Sequence, residues 1–329
     1  LDPHDVQVAA QHADKLLRLV MRRLGRELPG EETIALVPTQ VTLESADGSQ
    51  TYDDVSGRIE LDAESSTAIL RFRLPELDTG EPPQITLVRQ GTAAGVRTTI
   101  KLDTLGATLP VSAFTSWLDL EPVLGGDASF NGAIAVEEVG GCYSCDATGM
   151  LDAVDLKRLI AQRFPHHLAG SATVEIKHAR LREDKLVEAV GVVRSESGTI
   201  GGSLLAAAVE LLGCEPGAAP SAALPMTAGR NSEYQELAVA FSIDERGMKL
   251  KSVDPARPLI RDERGKALLV EGSDAALPLI ELVRALVPDS TLTVPATKET
   301  AQLVRWLPLP PIQRAADAEP DVPPLRVNQ

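Results

Sequence analysis

Two cysteines stand at C-x-x-C spacing in "GGCYSCDA", Cys142 and Cys145, and a third, Cys214, stands apart. Such a pair does chemistry either as half of a zinc site or as a redox dithiol. A structural zinc site wants four ligands, and no second pair follows. A redox pair puts its first thiol at a helix start, whereas Gly140-Gly141 here lead into an alternating stretch. On one extended strand the two Cα atoms stand ~10 Å apart at ~3.3 Å per residue. A disulfide spans only about 4.4–6.8 Å, so a local turn would be needed to form one. The expectation is ordinary core and surface thiols.

His166-His167 in "FPHHLAG" is the other tempting pair. Neighbouring side chains point apart on a strand and diverge by about 100° on a helix, so one metal rarely takes both. No further ligand at suitable spacing supports them. His178 sits in an alternating run and reads as a half-buried strand residue. The acidic pairs Asp53-Asp54 and Glu137-Glu138 fall at turn-like or wet positions, whereas general acid–base work wants a carboxylate in an apolar cleft. There is no G-x-S-x-G, P-loop or dinucleotide fingerprint. "GGDASFNG" leads into a strand and so offers no helix N-terminus to a phosphate. The sequence therefore points to no catalytic residue, no metal and no cofactor: not an enzyme.

Composition narrows the remaining classes. At 329 residues, 43% hydrophobic and 24% charged, the chain can bury a substantial core. Aromatics are only 3%, which weakens any reading built on stacking sugars or single-stranded bases. A net charge of −15 would repel a phosphate backbone, so nucleic acid is not an expected partner. No stretch approaches the ~18 apolar residues of a membrane span. The longest apolar run, "SLLAAAVELLG" (203–213), suits a buried helix. The chain begins at Leu1 rather than Met, which suggests that an upstream segment was removed: a signal peptide, a membrane anchor, or simply residues outside the chosen boundary.

The elements that would position any site fall into five stretches. Residues 1–30 predict an amphipathic helix, with Asp2 as N-cap, Pro3 in the first turn and Gly30 as stop. Val6, Ala9, Ala13, Leu16, Leu17, Val20 and Leu24 line one side, and Lys15, Arg18, Arg22 and Arg26 form a basic stripe. That stripe fits a solvated back or an anionic membrane surface. Residues 31–212 predict a sheet of repeated hairpins and helices. Residues 213–232 read as a Pro/Gly-rich loop, residues 233–312 as more sheet with short C-terminal helices, and residues 313–329 as a disordered tail.

Within the sheet region the period is two. "AILRFRL" puts Ala68, Leu70, Phe72 and Leu74 on one side, and "VRTTIKLD" does the same for Val96, Ile100 and Leu102. Short alternating strands separated by turn residues mean antiparallel pairing. A unit recurs, starting at Gly132 and again 38 residues later at Gly170: a Gly-led strand, a turn, a second strand, then a helix. A partial third copy is expected over 234–253.

The rhythm of "DDVSGRIELDAESSTAILRFRL", "LGGDASFNGAIAV", "ATGMLDAVDLKRLI" and the long repeat from Leu168, together with "RWLPLPP", resembles the periplasmic region of AsmA-like proteins. These are relatives of TamB among the bridge-like lipid carriers, and the resemblance covers roughly residues 38–310. It implies an elongated, twisted, taco-shaped antiparallel sheet, mainly β with a few helices, whose apolar concave face holds acyl chains of phospholipid or another lipid. It also implies lipid transport in outer membrane biogenesis, in the periplasm or cell envelope, with the full-length protein anchored in a membrane. On that reading the ligand-binding residues are Leu70, Phe72, Leu74, Val96, Ile100, Leu102, Val174 and Ile176. The alternative is a β-rich structural or protein-interaction module without a small-molecule ligand, its apolar faces closed on one another.

Overall fold

The computed structural model describes residues 32–45, 48–62, 67–73, 81–93, 95–111, 121–161, 164–183, 185–217 and 230–286. Among them are sixteen strands. The first eight are β1 (Glu32–Ser45), β2 (Gly48–Asp62), β3 (Thr67–Arg73), β4 (Gln84–Thr92), β5 (Gly95–Asp103), β6 (Leu109–Pro110), β7 (Ser129–Val139) and β8 (Cys142–Asp155). Then come β9 (Leu168–Arg182), β10 (Lys185–Ser195), β11 (Gly198–Gly201), β12 (Glu215–Pro216), β13 (Asn231–Asp244), β14 (Gly247–Ser252), β15 (Ile260–Asp262) and β16 (Ala267–Val270). The described helices are short: α1 (Glu121–Leu124), α2 (Gly202–Glu210), α3 (Leu279–Leu286) and a π-helical turn at Lys157–Ala161. The chain is thus mainly β with few helices, as the alternation predicts. The expected helix over residues 1–30, the second C-terminal helix and the tail lie outside the described residues.

All the strands join one sheet, in the order β1-β2-β3-β4-β5-β7-β8-β9-β10-β13-β15-β16-β12, with β6 on β7, β11 on β9 and β13, and β14 on β13. The paired strands are antiparallel, and most neighbours in space are neighbours in sequence. Turn chemistry makes this possible. The β7–β8 hairpin closes through Gly140-Gly141, both at positive φ (60° and 85°), the two-residue turn whose twist matches the strands it joins. Glu138 Oε1 accepts the Gly141 N–H at 2.9 Å.

Alternation is not perfect along the chain, and each break coincides with a bulge. In β9 the apolar residues switch from even positions (Val174, Ile176) to odd ones (Ala179, Leu181). The register takes up the slip: Gly149 pairs with Ile176 but Ala147 with Ala179, and β10 skips the same place, Val190 pairing with His178 and Gly191 with Ile176. β9 has one extra residue in this interval, at the exposed Lys177, and the bulge that absorbs it keeps the later side chains on the original face. β10 shows a second slip between Leu186 and Glu188, at exposed Val187, and β8 a third between Leu151 and Val154, where Ala153 has φ 55°.

Glycines of the repeat seat aromatic rings. Gly132 pairs with Gly149, and a Cβ on either would come within 2.9 Å of the Phe130 ring. Gly198 pairs with Gly170, and a Cβ there would meet Tyr234, whose hydroxyl instead donates to the Ala169 carbonyl at 3.1 Å. Gly191 lies under Phe241 in the same way. Bare backbone lets each of the three rings lie against the neighbouring strand, and Phe130 and Tyr234 are buried there.

The first repeat departs from expectation. A helix was expected soon after Gly149-Met150, yet β8 continues to Asp155, and only one π-helical turn follows. Backbone pairing of this stretch with both β7 and β9 outweighs its helical propensity. The second repeat does carry its helix: α2 buries Leu205, Ala207 and Ala208, packing with Leu156, Ile200, Leu237, Leu259 and Ile260. α3 packs Leu279 on Met248. Buried His166 ties the two helices together: its Nδ1 lies 3.0 Å from Ser203 Oγ, and its Nε2 lies 2.6 Å from the Ala285 carbonyl. A carbonyl only accepts, so Nε2 carries the proton and, in the neutral ring, Ser203 donates to Nδ1.

Removing Lys177 altogether is expected to restore unbroken alternation, leaving Val174, Ile176, Ala179 and Leu181 on one face. In urea titration that deletion should cost no more than about 1 kcal/mol, whereas deleting Ala135 from the unbroken β7 ladder would turn Ile134 and Val136 to opposite faces and should cost more than about 3 kcal/mol or abolish the cooperative transition. Equal loss of stability in the two variants would show that the bulge does not set the phase.

Candidate functional site

Residues paired across an antiparallel ladder point to the same face, so the register assigns each side chain to a row. One row runs Leu70, Ile85, Leu102, Ile134, Ala147, Ala179, Ala189, Ile243, Met248, from β3 to β14 without a polar residue. A parallel row holds Ala68, Leu87, Ile100, Val136, Cys145, Leu181 and Leu186. A third holds Leu109, Phe130, Leu151, Val174, Val193 and Val239. On the other face the same strands carry Thr86 beside Lys101, Gln84 beside Asp103, and Asp146 beside Arg180.

Seven of the eight expected contact residues therefore share one face. Leu70 and Leu102 lie in the first row, Ile100 in the second and Val174 in the third. Ile176 sits between the first and third, paired with Gly149 and Gly191. Phe72 packs with the cluster of Leu102, Leu109 and Phe130. Val96 has the parity of Ile100 but stands 48% exposed at the strand end, so it marks the margin of the rows rather than their middle. Leu74 lies outside the described residues. Ile85, Leu87, Ile134, Val136, Leu181 and Leu186 belong with the seven. The alternation of "PQITLVR" (83–89) carries the first two, while Leu181 follows the phase slip at Lys177 and Leu186 precedes the one at Val187.

Burial along these rows is uneven. Toward β13–β16 the face is sealed: Leu237, Ile260 and Met248 are buried under α2 and α3. Along β3 to β9, Leu70, Ile85, Ile100, Ile134, Val136 and Leu181 are only half-buried. Leu102, 5% exposed, is buried by its own cluster with Leu109 and Phe130. Among the described residues the stronger helix contacts are with β8, β9, β11 and the buried cluster toward β13–β16, and none as strong joins a helix to β3–β7.

The polar face is organised by ion pairs. Arg180 Nε meets Asp146 Oδ1 at 2.8 Å, and that carboxylate holds the guanidinium pKa above its ordinary value. Arg194 meets Glu175 at 3.3 Å and Arg97 meets Glu137 at 3.5 Å, so Glu137 serves as a cross-strand partner. Asp53 and Asp54 lie within β2, beside a register shift rather than in a turn. His178 Nε2 lies 3.6 Å from Glu188, and His167 Nε2 2.7 Å from Thr199 Oγ1. His166 and His167 thus go to separate partners. Among the described residues no three His, Cys, Asp or Glu side chains gather at metal-binding spacing, and no helix is long and apolar enough to cross a membrane.

The cysteines are thiols at three separate places. Cys142 is exposed on the polar face, and its pKa is raised chiefly by a hydrogen bond with Glu183 and by that residue's charge. Burial pushes Cys145 and Cys214 up to about 11. None is a thiolate at neutral pH, so none is an activated nucleophile.

Comparison of the chain with protein-family models, with curated proteins and with solved structures returned no match.

With a thiol reagent near pH 8, native protein is expected to be modified slowly at Cys142, while Cys145 and Cys214 react only after denaturation. Mass spectrometry of the labelled peptides reads the order; equal labelling of all three in native protein would contradict their burial.

Proposed function

We propose that this chain is a non-enzymatic lipid-handling protein whose half-buried rows along β3 to β10 hold the acyl chains of phospholipid or another lipid. The observation that carries this reading is the first row, free of polar residues, in which Leu70, Ile85 and Ile134 stay half-buried away from the helix-covered end. With neighbouring strands ~4.8 Å apart, the run from β3 to β10 measures roughly 29 Å. That is ample for a chain that fills one leaflet, about half of a ~30 Å hydrocarbon core.

The energetics suit a cargo recognised by oiliness rather than by polar contacts. Each buried CH₂ is worth ~0.8 kcal/mol, so a sixteen-carbon chain gains on the order of 13 kcal/mol gross. Ordering and association costs cancel much of it, which leaves binding reversible enough for hand-over. The right-handed twist of a many-stranded sheet would coil such a face into a trough, the taco shape of AsmA-like proteins. On this reading the chain works in the cell envelope, supports lipid movement between membranes, and touches a membrane surface through the basic stripe of residues 1–30.

Native mass spectrometry of gently purified protein should show co-purifying lipid. Ile100→Glu and Ile134→Glu should each lower uptake of fluorescently labelled phospholipid at least about tenfold, while the far-UV spectrum and cooperative melt persist. A lipid-free species that also refuses labelled lipid would remove this reading and favour a β-rich interaction module.

A further inference from the structure

The sheet's polar face carries a second feature, independent of the acyl-chain reading. A cavity of about 960 Å³ opens where the 252–258 loop passes beside β9, β10 and β13, lined by Arg194, Arg257, Arg261, Glu236, Thr173 and Ser197 among others. Three guanidinium groups and three carboxylates, Glu196, Glu236 and Asp254, line this one cavity, so what it offers a ligand depends on how they pair.

Their pairing is incomplete. Glu236 divides its carboxylate: Oε2 takes Arg261 Nη2 at 2.8 Å, and Oε1 takes Arg257 Nη1 at 3.2 Å. A carboxylate seated on one guanidinium fork would engage two nitrogens at once. Because Glu236 is shared, Arg261 Nε is left sealed from solvent with no acceptor. Arg257 is the most exposed of the three, at 56%, and its remaining contact is a 3.4 Å pair with Asp254. One Asp254 oxygen already accepts the Ala256 N–H at 3.0 Å. Arg194 holds Glu175 through Nη1 alone, at 3.3 Å.

From this we infer that the cleft is a binding site for a phosphate ester, held by Arg257 and Arg194, with Glu236 as its internal competitor. The oxyanion takes over the Arg257 guanidinium. Glu236 then closes on Arg261 with both oxygens and satisfies the orphaned Nε. Arginine suits this exchange because its planar fork fits phosphate and carboxylate alike. Sealing a buried, unpaired donor offsets part of the cost of parting Arg257 from Glu236. A soluble ester and a lipid headgroup present the same phosphoryl group to the cleft, and the chemistry recognised is the same.

The test uses the full chain at low ionic strength in calorimetric titrations with inorganic phosphate, glycerol 3-phosphate and vesicles containing phosphatidic acid. Saturable binding of a soluble ester supports the site, and vesicle binding that Arg257→Gln weakens and Glu236→Gln strengthens supports it with the headgroup as source. Arg257→Gln should weaken binding at least about tenfold. Glu236→Gln should tighten it about threefold or more, because the competitor is gone; a merely structural Glu236 would not. The wild-type and Glu236→Gln comparison decides the matter even where Arg257→Gln folds poorly. Absence of saturable binding to all three probes up to about 10 mM phosphate, or a Glu236→Gln variant that binds no better than wild type, overturns the proposal.

Discussion

Backbone hydrogen bonding between neighbouring antiparallel strands governs this molecule, because it decides which side chains meet. Once Leu70 pairs with Ile85, and Ile85 with Leu102, the face of every other residue in those strands follows from the two-residue period. A slip of one residue in any strand would turn its aliphatic set toward the ion-paired face. The sheet can therefore carry aliphatic rows across many strands only if each irregularity of sequence is matched by an irregularity of pairing. The extra residue at Lys177 and the slips at Val187 and near Ala153 meet that demand. Bulges here conserve a face.

Close packing follows from the same constraint. Where Phe130, Phe241 and Tyr234 lie against the sheet, the strand beneath presents glycine, since a Cβ would collide with ring or carbonyl. Three of the ten aromatics thus cover backbone at glycine sites. The hydroxyl of Tyr234 is satisfied within the fold, by the Ala169 carbonyl and by Ser195 Oγ at 3.1 Å. At the β13–β16 end, α2 and α3 complete a conventional core, and His166 joins them through its contacts with Ser203 and the Ala285 carbonyl.

The two faces divide the possible work. One offers apolar surface, most of it aliphatic, which suits the proposed hydrocarbon cargo by area rather than by shape. The other offers guanidinium and carboxylate groups held at strand spacing, and a cleft where one carboxylate answers to two arginines. The proposed acyl-chain rows and the proposed phosphate-ester cleft lie on opposite sides of the same strands, so each can be altered without touching the other.

What the sequence determined by itself was the strand period, the dominance of antiparallel pairing and the parity of seven contact residues, because alternation is a local property written residue by residue. It also marked the glycine-led repeat, though not why the glycines are there: the rings above them come from other strands or from two residues away. Register, bulge position and the neighbours of each strand were decided only in the tertiary structure, since pairing energy depends on residues far apart in the chain. So it was with His166: nothing local announces that its partners are Ser203 and the Ala285 carbonyl, 37 and 119 residues away. The helix expected after Met150 failed for the same reason, its backbone being claimed on both sides by strands already in place.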